Sequence, residues 1–249
     1  MIARLLSVAL LASMLMAAPA RAQEEQPLNS KQSEAVKKLI RDYLMDNPQV
    51  IAEALEALRE KERLVAEQDA QRALKDLKEE IQNDPEAPVA GNPKGDVVLV
   101  EFFDYRCTYC KSVSDTIFET VAKDGKIKLV LKEFPILGPE SVLASRAALA
   151  SRAQKKYIEF HRALMKVRGP LNEQTIMKTA SDVGLNVDQL RKDMQSTDVE
   201  NALRKNLTLA RALNLAGTPT FIIGDRIIPT AVDQATLKQL VDQARKPKT

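Results

Sequence analysis

The sequence predicts an α/β domain with a mixed sheet, carrying an inserted α-helical subdomain and preceded by a long N-terminal helical stalk. Three observations carry this. The apolar stretch Val97 to Phe103, a helix-like segment from Lys111, and the alternation of Ile127, Leu129 and Leu131 with Lys126, Lys128, Val130 and Lys132 make a β-α-β unit and hence a parallel strand pair. From Pro139 to about Leu215 the signal is helical throughout. Thr218 to Ile223 and Arg226 to Ile228 then flank Gly224-Asp225, a two-residue hairpin turn, before a final amphipathic helix capped by Asp233.

Taken in order, the chain begins with an address. Arg4 precedes an apolar run from Leu5 to Met16, and small residues continue up to Ala20-Arg21-Ala22. A charged region, an apolar core and an A-x-A site form a secretory signal peptide pattern over residues 1–22. The run is too short to span a bilayer, which takes roughly 20 apolar residues. Removing Arg4 and Arg21 from the 37 basic residues leaves 35 against 34 acidic ones. A balance this close argues against nucleic acid or an acidic membrane surface as the partner.

Residues 23–83 read as a helical region. Asn29 and Ser30 can cap a helix in which Ala35, Val36, Leu39, Ile40, Tyr43 and Leu44 recur at helical spacing. Asp46-Asn47-Pro48 is a stop and a start at once. From Pro48 to Asn83 there is neither glycine nor a further proline, and strong helix formers dominate, so one helix of about 50 Å is expected. Ile51, Ala54, Leu55 and Leu58 form one apolar stripe, and Leu74, Leu77 and Ile81 another, with the charged run Arg59 to Arg63 between them. The expectation is a stalk that builds a homo-oligomer, a trimer or dimer, through residues 30–83. The alternative is a helix folded back on its own domain. Three prolines and two glycines make residues 84–96 a linker, and the globular domain occupies 97–249 with its helical insert at about 139–215.

Within the insert, Leu143, Ala147 and Ala150 mark the first helix and Tyr157, Phe160 and Leu164 the second. Thr197 and Glu200 are expected as a capping box for the last. The single histidine, His161, lies among apolar residues and is assigned no role.

The chemistry centres on Cys107-Thr108-Tyr109-Cys110, which holds the only two cysteines. Thiols spaced i, i+3 where a strand passes into a helix put the first sulfur at a helix N-terminus, where free N–H groups and the helix dipole favour the thiolate. Disulfides persist in extracytoplasmic compartments, yet one C-x-x-C makes no structural framework. A ring this small contributes little loop-closure stabilisation. Zinc needs four ligands and the only further soft donor is His161, so no metal is assigned. The pair is read as a redox-active disulfide, Cys107–Cys110, that needs no external cofactor.

A C-x-x-C after a strand, a helical insertion, and Gly217-Thr218-Pro219-Thr220 leading into a hairpin resemble the DsbA-like thiol-disulfide oxidoreductases, which have a thioredoxin fold. The resemblance covers about residues 88 to 245. It implies that Pro219 is cis beside the disulfide and that the backbone of Thr218 can pair with an extended substrate. It also implies that Glu101, six residues before Cys107, is a buried acid below the disulfide, near a strand lysine identified as Lys132. The middle pair Thr108-Tyr109 lacks the histidine of the strongly oxidising members. The helical region around Tyr43 to Pro48 is similar to that of the suppressor-of-copper-sensitivity C (ScsC) proteins, some of which trimerise.

The resemblance further implies a periplasmic protein that exchanges disulfides with exported proteins and is served by a membrane redox partner. Cys107 is then the attacking thiolate and Cys110 the resolving thiol. An oligomer suits an isomerase or reductase, and a monomer a dithiol oxidase. A reading of another class is a copper-binding or copper-protective protein, since soft thiolates select Cu(I).

Overall fold

A computed structural model describes residues 28–246, so the expected signal peptide at 1–22 lies outside the described residues. The chain divides into two units, one ending at Leu58 and one starting at Arg59.

In the first unit, α1 (Ser30–Asp46) is capped by Asn29, whose side chain accepts from the Gln32 N–H while the Gln32 side chain accepts from the Asn29 N–H. It stops where the Asn47 backbone and side-chain nitrogens both bond to the Tyr43 carbonyl, and α2 (Gln49–Asp76) begins two residues later. No residue of α1 is buried. Leu39, Ile40, Tyr43, Met45, Ile51, Leu55 and Leu58 are all exposed large apolar side chains. The leading stripe is therefore present and uncovered.

The second unit departs from the single long helix expected up to Asn83. Helix α2 ends at Asp76, Leu77 takes φ −99° and ψ 17°, and a short α3 (Lys78–Gln82) comes next. Leu74 and Ile81 are buried against the sheet with Val100, Phe102, Val130 and Ile222. The second stripe is thus covered by its own domain, which is the folded-back arrangement.

The stretch expected as linker also contributes structure. Its β1 (Val89–Gly91) pairs antiparallel with β3 (Ile127–Glu133) as an edge strand. Gly91 sits at φ +72°, where an added Cβ would stand 2.5 Å from the Ile127 carbonyl oxygen, so glycine permits the approach. With β2 (Val97–Phe103), β4 (Thr220–Ile223) and β5 (Arg226–Ile228), the sheet has the order β1-β3-β2-β4-β5. The β2–β3 pair is parallel, and β2–β4 and β4–β5 are antiparallel.

Alternation along the strands sorts side chains between two cores. Val97, Leu99, Phe103, Ile127, Leu129 and Leu131 face α4 (Thr108–Asp124), α10 (Gln234–Ala244) and the insert. Val100, Phe102, Val130 and Phe134 face α3, the end of α2 and α9 (Thr197–Ala212). The insert comprises α5 (Pro139–Ala150), a 3₁₀ turn (Ser151–Gln154), α6 (Tyr157–Lys166), α7 (Glu173–Asp182), α8 (Val187–Asp193) and α9. The cap of α9 falls one residue earlier than expected: Ser196 accepts from the Val199 N–H, while Glu200 pairs with Arg146. Asp233 caps α10 through the Thr236 N–H at 2.7 Å, and Gly224-Asp225 joins β4 to β5.

Candidate active site

Strand β2 delivers the chain into a turn at 104–107 that a buried carboxylate organises. Asp104 Oδ1 accepts from the Arg106 N–H and the Ser141 hydroxyl, each at 2.7 Å, and Oδ2 from the N–H groups of Ile136 and Leu137 at 2.9 and 3.0 Å. The Cys107 N–H closes onto the Asp104 carbonyl at 3.1 Å. Cys107 is itself the N-cap of α4, its Sγ accepting from the Cys110 N–H at 3.3 Å. An N-cap position is normally filled by a side-chain oxygen; here a sulfur takes the orphan N–H.

Both thiols are free, Cys107 at 6% exposure and Cys110 at 0%. The hydrogen bond from the Cys110 thiol holds Cys107 down to about 5, aided by the Thr218 side chain and the N–H groups of Cys110 and Tyr109 against the cost of burial. The same Cys107 bond, then burial and the charge of Glu101, push the Cys110 thiol far above its ordinary range. One sulfur is thus a thiolate at neutral pH and its neighbour a protected thiol.

The Thr218–Pro219 bond is cis, and Cys107 Sγ lies 3.1 Å from the Thr218 carbonyl oxygen, to which it donates only in its thiol form. The two meet across 111 residues of sequence. Thr108 and Tyr109 stand at the exposed start of α4, Tyr109 at 68% exposure. Glu101 is buried on the α4 side of the sheet, its Oε1 without a hydrogen-bond partner. Burial, then the charges of Cys107 and Glu133, push its carboxyl up to about 8.

Lys132 corrects the expectation that it lies near Glu101. In the β2–β3 register Glu101 pairs with Leu131 and Phe102 with Lys132, so the lysine points to the opposite face. There its Nζ meets Asp84 Oδ2 at 2.7 Å and the Glu80 carbonyl at 3.3 Å. Lys205 reaches Asp84 Oδ1 at 3.0 Å. This is a buried structural ion pair, remote from the thiols.

His161, assigned no role from the sequence, is fully buried beside Phe103, Tyr105, Phe118 and Tyr157. Glu133, Tyr105, Ser145 and Tyr157 carry no functional expectation from the sequence either. One signal was available for Glu133: it has the parity of Ile127, Leu129 and Leu131, so a strand carrying them inward carries it inward too.

A thioredoxin-type sheet with an asymmetric thiol pair at a helix N-terminus, facing a cis-proline segment, defines the class: a thiol-disulfide oxidoreductase. Residues 98–242 match the DSBA-like thioredoxin domain, and the chain belongs to that family. Residues 32–63 match the copper resistance protein ScsC N-terminal domain. Among solved structures, a thioredoxin-like oxidoreductase from Silicibacter pomeroyi is 44% identical, covering 68% of this chain and 98% of that one with a TM-score of 0.67. ScsC of Proteus mirabilis is 32% identical over 88% of this chain and 97% of that one, with a TM-score of 0.65. Among curated relatives, Na(+)/H(+) antiporter NhaA 1 of Mycobacterium sp. is 29% identical over 65% of this chain. The matched stretch spans only 27% of that relative's length.

Proposed function

We propose that the protein exchanges disulfides with exported proteins in the periplasm, as an isomerase or reductase kept reduced by a membrane redox partner. The observation that carries this is the pairing of a Cys107 thiolate with the buried, protonated Cys110 beneath the Thr218 carbonyl. The Cys107 thiolate attacks a substrate disulfide, forming a mixed disulfide and releasing one substrate thiolate. In the reductase branch Cys110 gives its proton to the Glu101 carboxylate and attacks Cys107 Sγ. That step releases the second substrate thiolate, leaving the substrate reduced by two electrons and the pair oxidised. In the isomerase branch a substrate thiolate displaces Cys107 instead, and the pair stays reduced. Mixed-disulfide formation discharges Cys107 and so removes one of the charges that keep Glu101 protonated. The base is freed when it is needed.

The direction of electron flow rests on assembly. The uncovered stripe of α1 and early α2, within the segment matching the ScsC N-terminal domain, supports a homo-oligomer, as does the similarity to ScsC of Proteus mirabilis. Among the described residues no helix is long and apolar enough to cross a membrane. Light scattering on the chain from Gln23 is expected to give an oligomer that Leu39→Glu with Tyr43→Glu dissociates, together with activity on scrambled ribonuclease. A monomer that only oxidises dithiols overturns the isomerase reading in favour of an oxidase. The same ScsC match favours one reading of another class, copper protection through the two thiolates. A Cu(I) titration with no thiol-dependent binding removes it.

A further inference from the structure

Beyond the thiols, a dense polar cluster is buried at the end of β3. Glu133 Oε1 accepts from the hydroxyls of Tyr105 at 3.1 Å and Tyr157 at 2.6 Å, and Oε2 from the Ser145 hydroxyl at 2.7 Å. The Tyr105 oxygen also lies 3.0 Å from His161 Nδ1. Glu133, Tyr105, Ser145 and His161 are completely buried and Tyr157 nearly so. The three donors on the carboxylate are neutral hydroxyls from three different elements, with no cation among them. Tyr105 has a single proton. If it serves Glu133, the His161 contact must be an Nδ1–H donated to the tyrosine oxygen, which leaves Nε2 bare. His161 Nε2 has no partner, so the tautomer with its proton on Nδ1 is the one that leaves no buried N–H unpaired. Burial holds this histidine down to about 3, so it is neutral and has one N–H to give. Proton accounting therefore closes with three donors directed at Glu133, which favours it as the first of the buried carboxyls to ionise.

The cluster reaches the thiols by two routes. Tyr105 lies in the turn that ends at Cys107, two residues ahead of the sulfur. Glu133 pairs with Phe103 in the β2–β3 register and Glu101 with Leu131, so the two carboxylates leave the same face one residue pair apart diagonally. Glu101, unlike Glu133, has an oxygen with no donor.

We propose that Glu133 is a positioning residue for thiol exchange: held by Tyr105, Tyr157 and Ser145, it sets from the neighbouring strand the electric field in which Glu101 trades its proton with Cys110. This rests on the exchange reading above. Two carboxylates in one dry space cannot both ionise cheaply, and the one with donors gives up its proton first while the one without keeps its proton to higher pH. Glu133 is among the causes that raise Glu101, after burial and Cys107. Burial raises Glu133 itself to about 8, opposed by its three hydroxyl bonds and reinforced by Asp104 in the 104–107 turn. The remaining charged neighbours are Arg152 of the 3₁₀ turn, which acts on Tyr157, and Arg162 of α6, which acts on His161.

The test uses the full exported chain with Cys107 carrying glutathione as a mixed disulfide, and tracks glutathione release by Cys110 against pH. Release rises with pH as Glu101 ionises. Glu133→Gln is expected to move the midpoint down by about half a unit or more, because a like charge has been removed. Tyr157→Phe takes one donor from Glu133, weakens its charge, and moves the midpoint the same way by less. It keeps the ring and stands in if Glu133→Gln does not fold. A midpoint unchanged or raised in the folded variants overturns the proposal, since loss of packing alone has no reason to acidify the profile. Glu101→Gln separates the two failures. If it flattens the profile while Glu133→Gln and Tyr157→Phe leave the midpoint in place, only this proposal falls. If it changes nothing, the role of Glu101 in exchange falls too.

Discussion

The two faces of the sheet bury charge in opposite ways. On the α9 face, Lys132 and Asp84 meet at 2.7 Å with side chains 1% and 5% exposed, and Lys205 completes the group. On the α4 face, Glu101 is equally buried but has no cation and one wholly unpartnered oxygen. Burying a charge is costly unless it is paired, and an unpaired group responds by neutralising. The paired face is thereby fixed in one protonation state, whereas the unpaired face is left free to gain and lose a proton. That difference separates a brace from a working site.

The largest effect that tests the comparison is loss of the nucleophile. Cys107→Ser is expected to abolish exchange with a small-molecule disulfide, measured by thiol release, because no mixed disulfide can form. Unchanged turnover would place the chemistry elsewhere. Next comes the brace. Lys132→Met leaves Asp84 buried with only Lys205, and breaking a buried pair costs about 3–5 kcal/mol. Since Lys205 remains, urea unfolding is expected to show about 3 kcal/mol, while exchange per folded molecule stays at the parent rate. Loss of exchange in folded Lys132→Met would mean that the two faces are not independent.

Glu101→Gln reverses that pattern. Glutathione release by Cys110 is expected to slow by about 10²-fold, the lower range for a positioned acid or base. Stability moves the other way. A carboxyl raised to about 8 from its ordinary 4.5 stays protonated in the folded chain while the unfolded chain ionises, so folding is progressively disfavoured between pH 4.5 and 8. Removing it makes the decline over that window shallower, measured as urea midpoints at successive pH values.

The same contrast explains what could be read from the sequence. The β-α-β unit, the insert, the hairpin and the position of Cys107 come from local patterns: period-two alternation, capping residues and a C-x-x-C at a strand-to-helix passage. Glu101 was legible through family resemblance. Lys132 was not, because it depended on register: a shift of one residue sends a side chain to the other face, and nothing local in Lys128 to Glu133 says which residue pairs with Glu101. The end of the long helix failed for a similar reason. Leu74, Leu77 and Ile81 have the same spacing whether they meet another chain or their own sheet. His161 and its tyrosines were hidden because a buried hydroxyl network is assembled from α5, α6 and two strand ends, each ordinary when read alone.

The smallest expected effect is a shift that stays on one face. Iodoacetamide alkylation of Cys107 reports its thiolate, whose pKa lies at about 5 instead of the ordinary range near 8.5. The sign is that of an acid: above pH 5 the group is already ionised, so the rate is flat from about 6 upward and falls about tenfold per unit once the pH drops below 5. A thiol of ordinary acidity would begin that fall below about 8.5. The groups responsible are the Cys110 thiol, the Thr218 side chain and two N–H groups at the start of α4, all on the near side of the sheet. Lys132→Met is therefore expected to leave the midpoint in place, although it removes a full positive charge. A midpoint that rose in this variant would show that the field of Lys132 reaches the thiolate across the sheet, and the division between brace and working site would have to be redrawn.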